Sequence, residues 1–250
     1  MDNVEKQLSE KPVPTFNPDY HRRQWDTCYE STKAFLDFLE RNKAVSKRDE
    51  NSVIDLCCGS GANLFWMKKQ FPNISLTGFD VIPELVDFGN QELKAREVTN
   101  AKLLHGDVYA LDAHEYEQPD GVIALQTVSW LPDEVGFVET AASFQPEWIA
   151  ITGLMIPGSR SFRCLVNNDE DPTNNVNYYN TFSIPYLESL FEEHGYGDFV
   201  FEPFHIGIDI EKPEDASSGT YTEMKPDGTR LQISGAILMN WYFMIAYKQP

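Results

Sequence analysis

A doubly wound α/β fold, with helices on both faces of a mostly parallel sheet, follows from three features of the chain. Short apolar runs alternate with segments of helical period, and a glycine-rich turn follows the first of those runs. The third is bulk: 42% of the 250 residues are apolar, with 16 Phe, 11 Tyr and 5 Trp, enough to fill one core. We read residues 1–250 as a single domain.

Residues 1–19 hold three prolines and little apolar content, which predicts a loose segment draped on the surface. From about 22 to 43, Trp25, Cys28, Tyr29, Phe35, Phe38 and Leu39 keep a helical period. This predicts one amphipathic helix, which with the preceding residues makes an N-terminal segment and lid over 1–45. Strands are expected at 52–56, 74–79, 101–105, 120–125 and 147–153, with helices at 62–71, 83–96 and 134–144. Pro83 suits a first helical position, where its missing N–H costs nothing. Residues 156–181 are rich in Asn, Asp and Ser without a period, too long for an ordinary connection, and read as an insertion on the substrate side. A helix at 184–194 ends at Gly195, and a strand follows at 199–206. A second insertion, 207–234, carries Asp227-Gly228 where a hairpin would turn. The run "GAILMNWYFMIAY", 235–247, makes a seventh strand; at 13 residues it is too short to cross a bilayer.

Net charge is −19, which repels phosphate backbones and anionic lipid, so the expected partner is a small molecule rather than nucleic acid or membrane. Monomer and homodimer both remain open. The start, MDNVEKQLSE, is neither a secretory signal nor a basic transit peptide, which predicts a cytoplasmic protein. Cys28, Cys57, Cys58 and Cys164 show no metal-ligand spacing and read as packing residues; no metal is expected.

The stretch "VIDLCCGSGANLF", Val53 to Phe65, runs a strand through an acid and a glycine turn into a helix. A dinucleotide turn wants three glycines, G-x-G-x-x-G. Here Gly59 and Gly61 are present and Leu64 takes the third place. Asp55 adds an electrostatic objection: a carboxylate repels a pyrophosphate and attracts a cation. S-adenosylmethionine is such a cation at this position, with its ammonium and sulfonium, and its carboxylate can still use backbone N–H groups at a helix start.

In this turn and the motifs that follow it, the chain resembles the class I S-adenosylmethionine-dependent methyltransferases. "VIDLCCGSG" is similar to their first motif, and Asp80 in "LTGFDVIPELVDFGN" stands where an acid chelates both ribose hydroxyls. Asp107 in "LLHGDV" stands where an acid meets the adenine amino group, and "PDGVIALQTVSWLPD" resembles the fourth strand and its exit. The resemblance implies a Rossmann-like seven-stranded sheet with an antiparallel last strand, and S-adenosylmethionine as cofactor. It implies cofactor contacts from Asp55, Gly59, Gly61, Asp80, Val81, Ile82, Asp107, Val108 and Gln126, with Tyr20 and Trp25 closing over the methionine end.

For the acceptor, the strand ends and the two insertions offer His205 and Asp209 as bases, with His21 ahead of the lid helix. Tyr178 and Tyr179 are candidates to line the acceptor pocket, and Arg160 and Arg163 to hold a substrate phosphate or carboxylate. Absence of an Asn/Asp-Pro-Pro-Tyr box after the fourth strand disfavours methylation of amide or adenine nitrogens. The insertions resemble those of methyltransferases from bacterial surface-polysaccharide clusters, which implies O-methylation of a sugar or phosphoryl-sugar. Three alternatives stand beside it: N-methylation of a small amine, a non-catalytic cofactor-binding subunit, and an NAD-dependent oxidoreductase.

Overall fold

The computed structural model describes residues 18–167, 176–214 and 219–250. Residues 1–17 of the loose segment expected over 1–19, and parts of both insertions, lie outside these.

Five parallel strands come first: β1 (Ser52–Leu56), β2 (Ser75–Asp80), β3 (Ala101–His105), β4 (Gly121–Ala124) and β5 (Trp148–Ile156). After them come β6 (Leu165–Asn167), β7 (Val176–Tyr178), β8 (Thr181–Ser183) and β9 (Tyr196–Pro203), and then β10 (Thr220–Met224), β11 (Arg230–Ser234), β12 (Ile237–Leu238) and β13 (Trp241–Lys248). The main sheet runs β3-β2-β1-β4-β5-β13-β9, with short β8 continuing alongside the end of β5. β13 is antiparallel to both neighbours, as expected of the last strand. A dinucleotide fold orders its six parallel strands 3-2-1-4-5-6. An antiparallel strand slotted between the fifth and the next departs from that order, and the oxidoreductase reading loses its support.

Alternate strand residues feed two cores, as the two-residue pleat requires. Val53, Leu76, Leu103, Ile123, Ala150 and Ile245 point to one face. There they meet α2 (Glu30–Arg41), α3 (Ala62–Gln70) and α4 (Pro83–Ala95) through Phe38, Leu64 and Val86. Ile54, Leu56, Val122, Ala124, Ile149 and Met244 point to the other, against α5 (Glu134–Ser143) and α6 (Ile184–Glu192) through Phe137, Leu187 and Phe191.

The predicted lid is two helices, not one. α1 (Pro18–Asp26) and α2 are separated at 27–29, although the apolar period carries straight across the break. Three contacts fasten α1 to the body. The Trp25 indole donates to Ser60 Oγ at 3.1 Å, the Trp66 indole donates to the Gln24 carbonyl at 2.8 Å, and Arg96 binds Asp26 at 2.9 Å while lying 5.6 Å over the Trp25 ring.

The first insertion carries strands that its composition hides, and the second carries the hairpin expected of it. β6 pairs with β7, and β10, β11 and β12 form a small antiparallel sheet whose first turn falls at Asp227-Gly228, with Gly228 at φ +82°. The final apolar run is divided: Ile237–Leu238 joins the small sheet, and the main strand begins at Trp241.

Candidate cofactor and acceptor site

Open parallel sheets gather their ligands at the carboxyl ends of the strands. Asp55, the turn 57–61, Asp80 and Asp107 all sit at that end, on β1, β2 and just past β3. The glycines have distinct reasons. Gly59 has φ +58°, and nothing lies within 4 Å of where its side chain would be, so bare backbone faces open space. Gly61 has φ +76°, and an added carbon there would come within 2.8 Å of Leu103. Sequence reading gave Cys57 and Cys58 no part beyond backbone and volume. Cys57 nonetheless holds φ +60°, a left-handed conformation that costs a side-chain-bearing residue about 1–2 kcal/mol. Strain of this kind is stored where a turn must keep one shape.

Asp80 is 7% exposed and braces the turn from the second strand. One of its oxygens accepts the Gly59 N–H at 2.7 Å and the other accepts the Ile82 N–H at 3.0 Å. Each oxygen keeps a further lone pair, so two ribose hydroxyls can still be met. Burial pushes this carboxyl up from the ordinary range, opposed by those two N–H groups and by His21 and His105. Asp55 is 1% exposed, and its Oδ2 has no hydrogen-bond partner among the described residues. Burial, and secondarily Asp80, pushes it well up. Two buried carboxyls, one with an orphaned oxygen, beside a turn of bare backbone fit a ligand that brings cationic and hydroxyl groups and fit a diphosphate poorly.

A prediction on pH follows. An acid raised on folding binds its proton more tightly in the folded chain, so its favourable contribution is complete below the ordinary carboxylate range and is lost as pH rises through the folded values. Stability of the ligand-free protein should therefore fall over that window. Asp55→Asn should flatten the fall and raise the neutral-pH denaturation midpoint, measured by urea titration across pH.

Around this centre, Val81 is 44% exposed while Ile82 and Val108 are buried. Asp107 is exposed and accepts the Tyr109 N–H at 3.0 Å in a local turn. Gln126, at φ +53° just past β4, donates its amide to Ser31 of α2 at 3.1 Å. His21 is half-buried and within electrostatic reach of Asp80, with burial lowering its basicity. The side chain of Tyr20 lies outside the described residues.

Three assignments need correction. Trp25 is fully buried and reaches the turn through Ser60 rather than closing over a ligand. Arg163 is committed to Glu134, a carboxylate 6% exposed that also accepts the Tyr186 hydroxyl at 2.7 Å, and its guanidinium lies 4.7 Å over Phe182. A guanidinium so engaged is not a free anion clamp, whereas Arg160 is exposed. Asp209 is exposed and paired at 2.8 Å with Arg230 of the small sheet, and that pairing lowers its basicity. His205 is exposed and follows Phe204, whose N–H extends the β9–β13 ladder to Trp241 and whose ring stacks on Phe243 at 5.3 Å.

Sequence reading named Tyr179 for the acceptor pocket but passed over the two tryptophans grouped with it. Trp130, at the exit of β4, meets Tyr179 edge-on at 4.3 Å and Trp241 at 5.8 Å. Their only signal in the sequence was position, one after the fourth strand and one opening the last.

Comparison with known proteins agrees with this geometry. Residues 53–144 match the model of a methyltransferase domain family. The chain is 27% identical over 95 residues to malonyl-[acyl-carrier protein] O-methyltransferase of Paenibacillus sp., covering 37% of this chain and 34% of that protein. To (S)-coclaurine N-methyltransferase of Papaver somniferum it is 23% identical over 196 residues, covering 74% and 53%. It thus spans a third to a half of these relatives' lengths. Among solved structures, the YcgJ protein of Bacillus subtilis superposes with a TM-score of 0.60 at 12% identity, covering 87% of this chain and 99% of that one. Magnesium protoporphyrin IX methyltransferase of Synechocystis, solved with S-adenosylhomocysteine, gives 0.56 at 10% identity, covering 99% and 94%. Residues 53–144 are therefore similar to a methyltransferase domain, and the chain has the Rossmann-like fold that such methyltransferases share.

Proposed function

We propose that the chain transfers the methyl group of S-adenosylmethionine to a small polar metabolite, at a hydroxyl oxygen of a sugar or related ring. The orphaned Oδ2 of Asp55 beside Asp80 carries the cofactor half of this reading, because a cationic donor satisfies what a diphosphate would oppose. When bound, S-adenosylmethionine supplies an electrophilic methyl on a sulfonium. Asp80 holds the ribose, Gly59 lets the ligand approach the backbone, and Val81, Ile82, Asp107 and Val108 flank the adenine. Positioning does most of the work, since good orientation alone contributes roughly 7–11 kcal/mol. A hydroxyl acceptor must also lose its proton, and His205, an exposed side chain at the acceptor end of the sheet, takes it.

N-methylation of a small amine is the second reading, supported by the likeness to (S)-coclaurine N-methyltransferase over 74% of the chain. An amine that reacts as its free base needs no histidine. Release of S-adenosylhomocysteine in a screen of sugars, phosphorylated sugars and amines tests the function itself. His205→Ala should leave S-adenosylmethionine affinity intact and lower turnover by about 10²–10⁴-fold on a hydroxyl acceptor. Turnover on an amine alone, indifferent to His205, would reverse the choice between oxygen and nitrogen. Cofactor binding with no turnover on any acceptor class would favour a partner subunit.

A further inference from the structure

At the carboxyl end of β4 and β5 lies a third apolar cluster, separate from the two cores. Leu154, Met239 and Trp241 are buried in it, with Trp130, Tyr179, Phe204 and Ile237 packed around them. Trp241 opens β13 directly opposite Leu154, at the end of the sheet where the cofactor turn also sits.

Two neutral polar atoms are stranded, one on Trp241 of the cluster and one on Asn180, which follows the cluster's Tyr179 in the chain. Trp241 is 5% exposed, and its indole Nε1 has no hydrogen-bond partner among the described residues. Asn180 is 1% exposed; its main chain donates to the Ser129 carbonyl and its amide nitrogen donates to the Leu131 carbonyl at 3.0 Å. Only the nitrogen can donate, so the atom left over is the oxygen, and it too lacks a partner among the described residues. A buried donor or acceptor left unmade is destabilising, and native proteins seldom tolerate one without a reason.

Resting on the methyltransferase reading, we infer that this cluster binds the methyl acceptor, and that the acceptor is an uncharged ring-shaped alcohol: its ring packs on Trp130 and Tyr179, and its oxygens meet Trp241 Nε1 and Asn180 Oδ1. Ring faces and edges favour a flat or ring-shaped body. One stranded donor and one stranded acceptor match hydroxyl groups, which both give and take. Among the described residues, Arg163 is spent on Glu134 and none of the cluster's own side chains is charged, and an unpaired ion among these rings would be strongly penalised. The acceptor is thereby narrowed from sugars and phosphoryl-sugars to neutral rings, whether pyranose or aromatic.

Full-length protein saturated with S-adenosylhomocysteine is titrated with methyl β-D-glucopyranoside, with catechol and with glucose 6-phosphate, while the indole N–H resonances are followed by NMR. Trp241→Phe keeps a ring, removes the donor and assigns the resonance. At least one neutral ring compound should move that resonance, and the substitution should weaken its binding about fivefold. Glucose 6-phosphate should bind no tighter than the glucoside. A response to the glucoside alone identifies a sugar ring, and a response to catechol alone an aromatic one; both uphold the inference. It is overturned if neither compound moves the Trp241 signal, if Trp241→Phe leaves affinity unchanged, or if the phosphorylated sugar binds tenfold tighter. Unaltered S-adenosylhomocysteine affinity in the variant shows that its fold is intact. Failure of the unmodified protein to bind S-adenosylhomocysteine at all would remove the methyltransferase reading, and this inference with it.

Discussion

Asp80→Ala is expected to weaken S-adenosylmethionine binding by at least about a hundredfold. Two ribose hydroxyls given to a charged acceptor are worth about 1.5–3 kcal/mol each, and 1.4 kcal/mol is tenfold in affinity. The same carboxylate braces Gly59 and Ile82, so alanine also frees two backbone donors and lets the turn relax. Asp80→Asn separates the two effects. It keeps oxygen and nitrogen in the same outline, but only one atom can still accept, so its loss should be intermediate. Calorimetric titration of both variants, with a denaturation curve to confirm that each is folded, gives the answer. Affinity within threefold of the original chain in Asp80→Ala would end the ribose assignment.

The second large effect concerns the N-terminal helix. Trp25 is fully buried, packs on Phe65 at 5.3 Å and holds Ser60 inside the cofactor turn. Trp25→Ala should lower the unfolding free energy by about 3–5 kcal/mol, the usual cost of emptying an aromatic site in a core. Trp25→Phe, which retains most of the volume and drops only the N–H, should lose much less. Urea denaturation measures both. If alanine costs under 1 kcal/mol, α1 undocks on its own and contributes nothing to the global fold.

Much of this architecture could be read from the chain because strand and helix signals stayed local. Val53 to Leu56, the glycine turn and Pro83 each announce themselves within a few residues, and the hairpin at Asp227-Gly228 follows from one dipeptide. What stayed hidden was set at a distance. The break at 27–29 contains no proline or glycine, and α1 is placed instead by Ser60, Trp66 and Arg96, between 35 and 70 residues away. Arg163 and Asp209 looked available for chemistry until the fold brought Glu134 and Arg230 to them from 29 and 21 residues away. Asn240 divides the last apolar run because its amide nitrogen donates to the Met155 carbonyl at 2.5 Å, a tie that no periodicity reveals. The cofactor acids were legible since each sits at or just past the end of a strand; apart from Tyr179, the aromatic cluster was not, because it is assembled from separate parts of the chain.

The bond between Trp25 and Ser60 gives the protein an intrinsic optical probe. An indole one side chain away from the cofactor turn senses any tightening of that turn through its hydrogen bond, so its emission colour should change as the nucleoside arrives. Binding can then be followed with native chain and a fluorimeter, without label or radioactive methyl group.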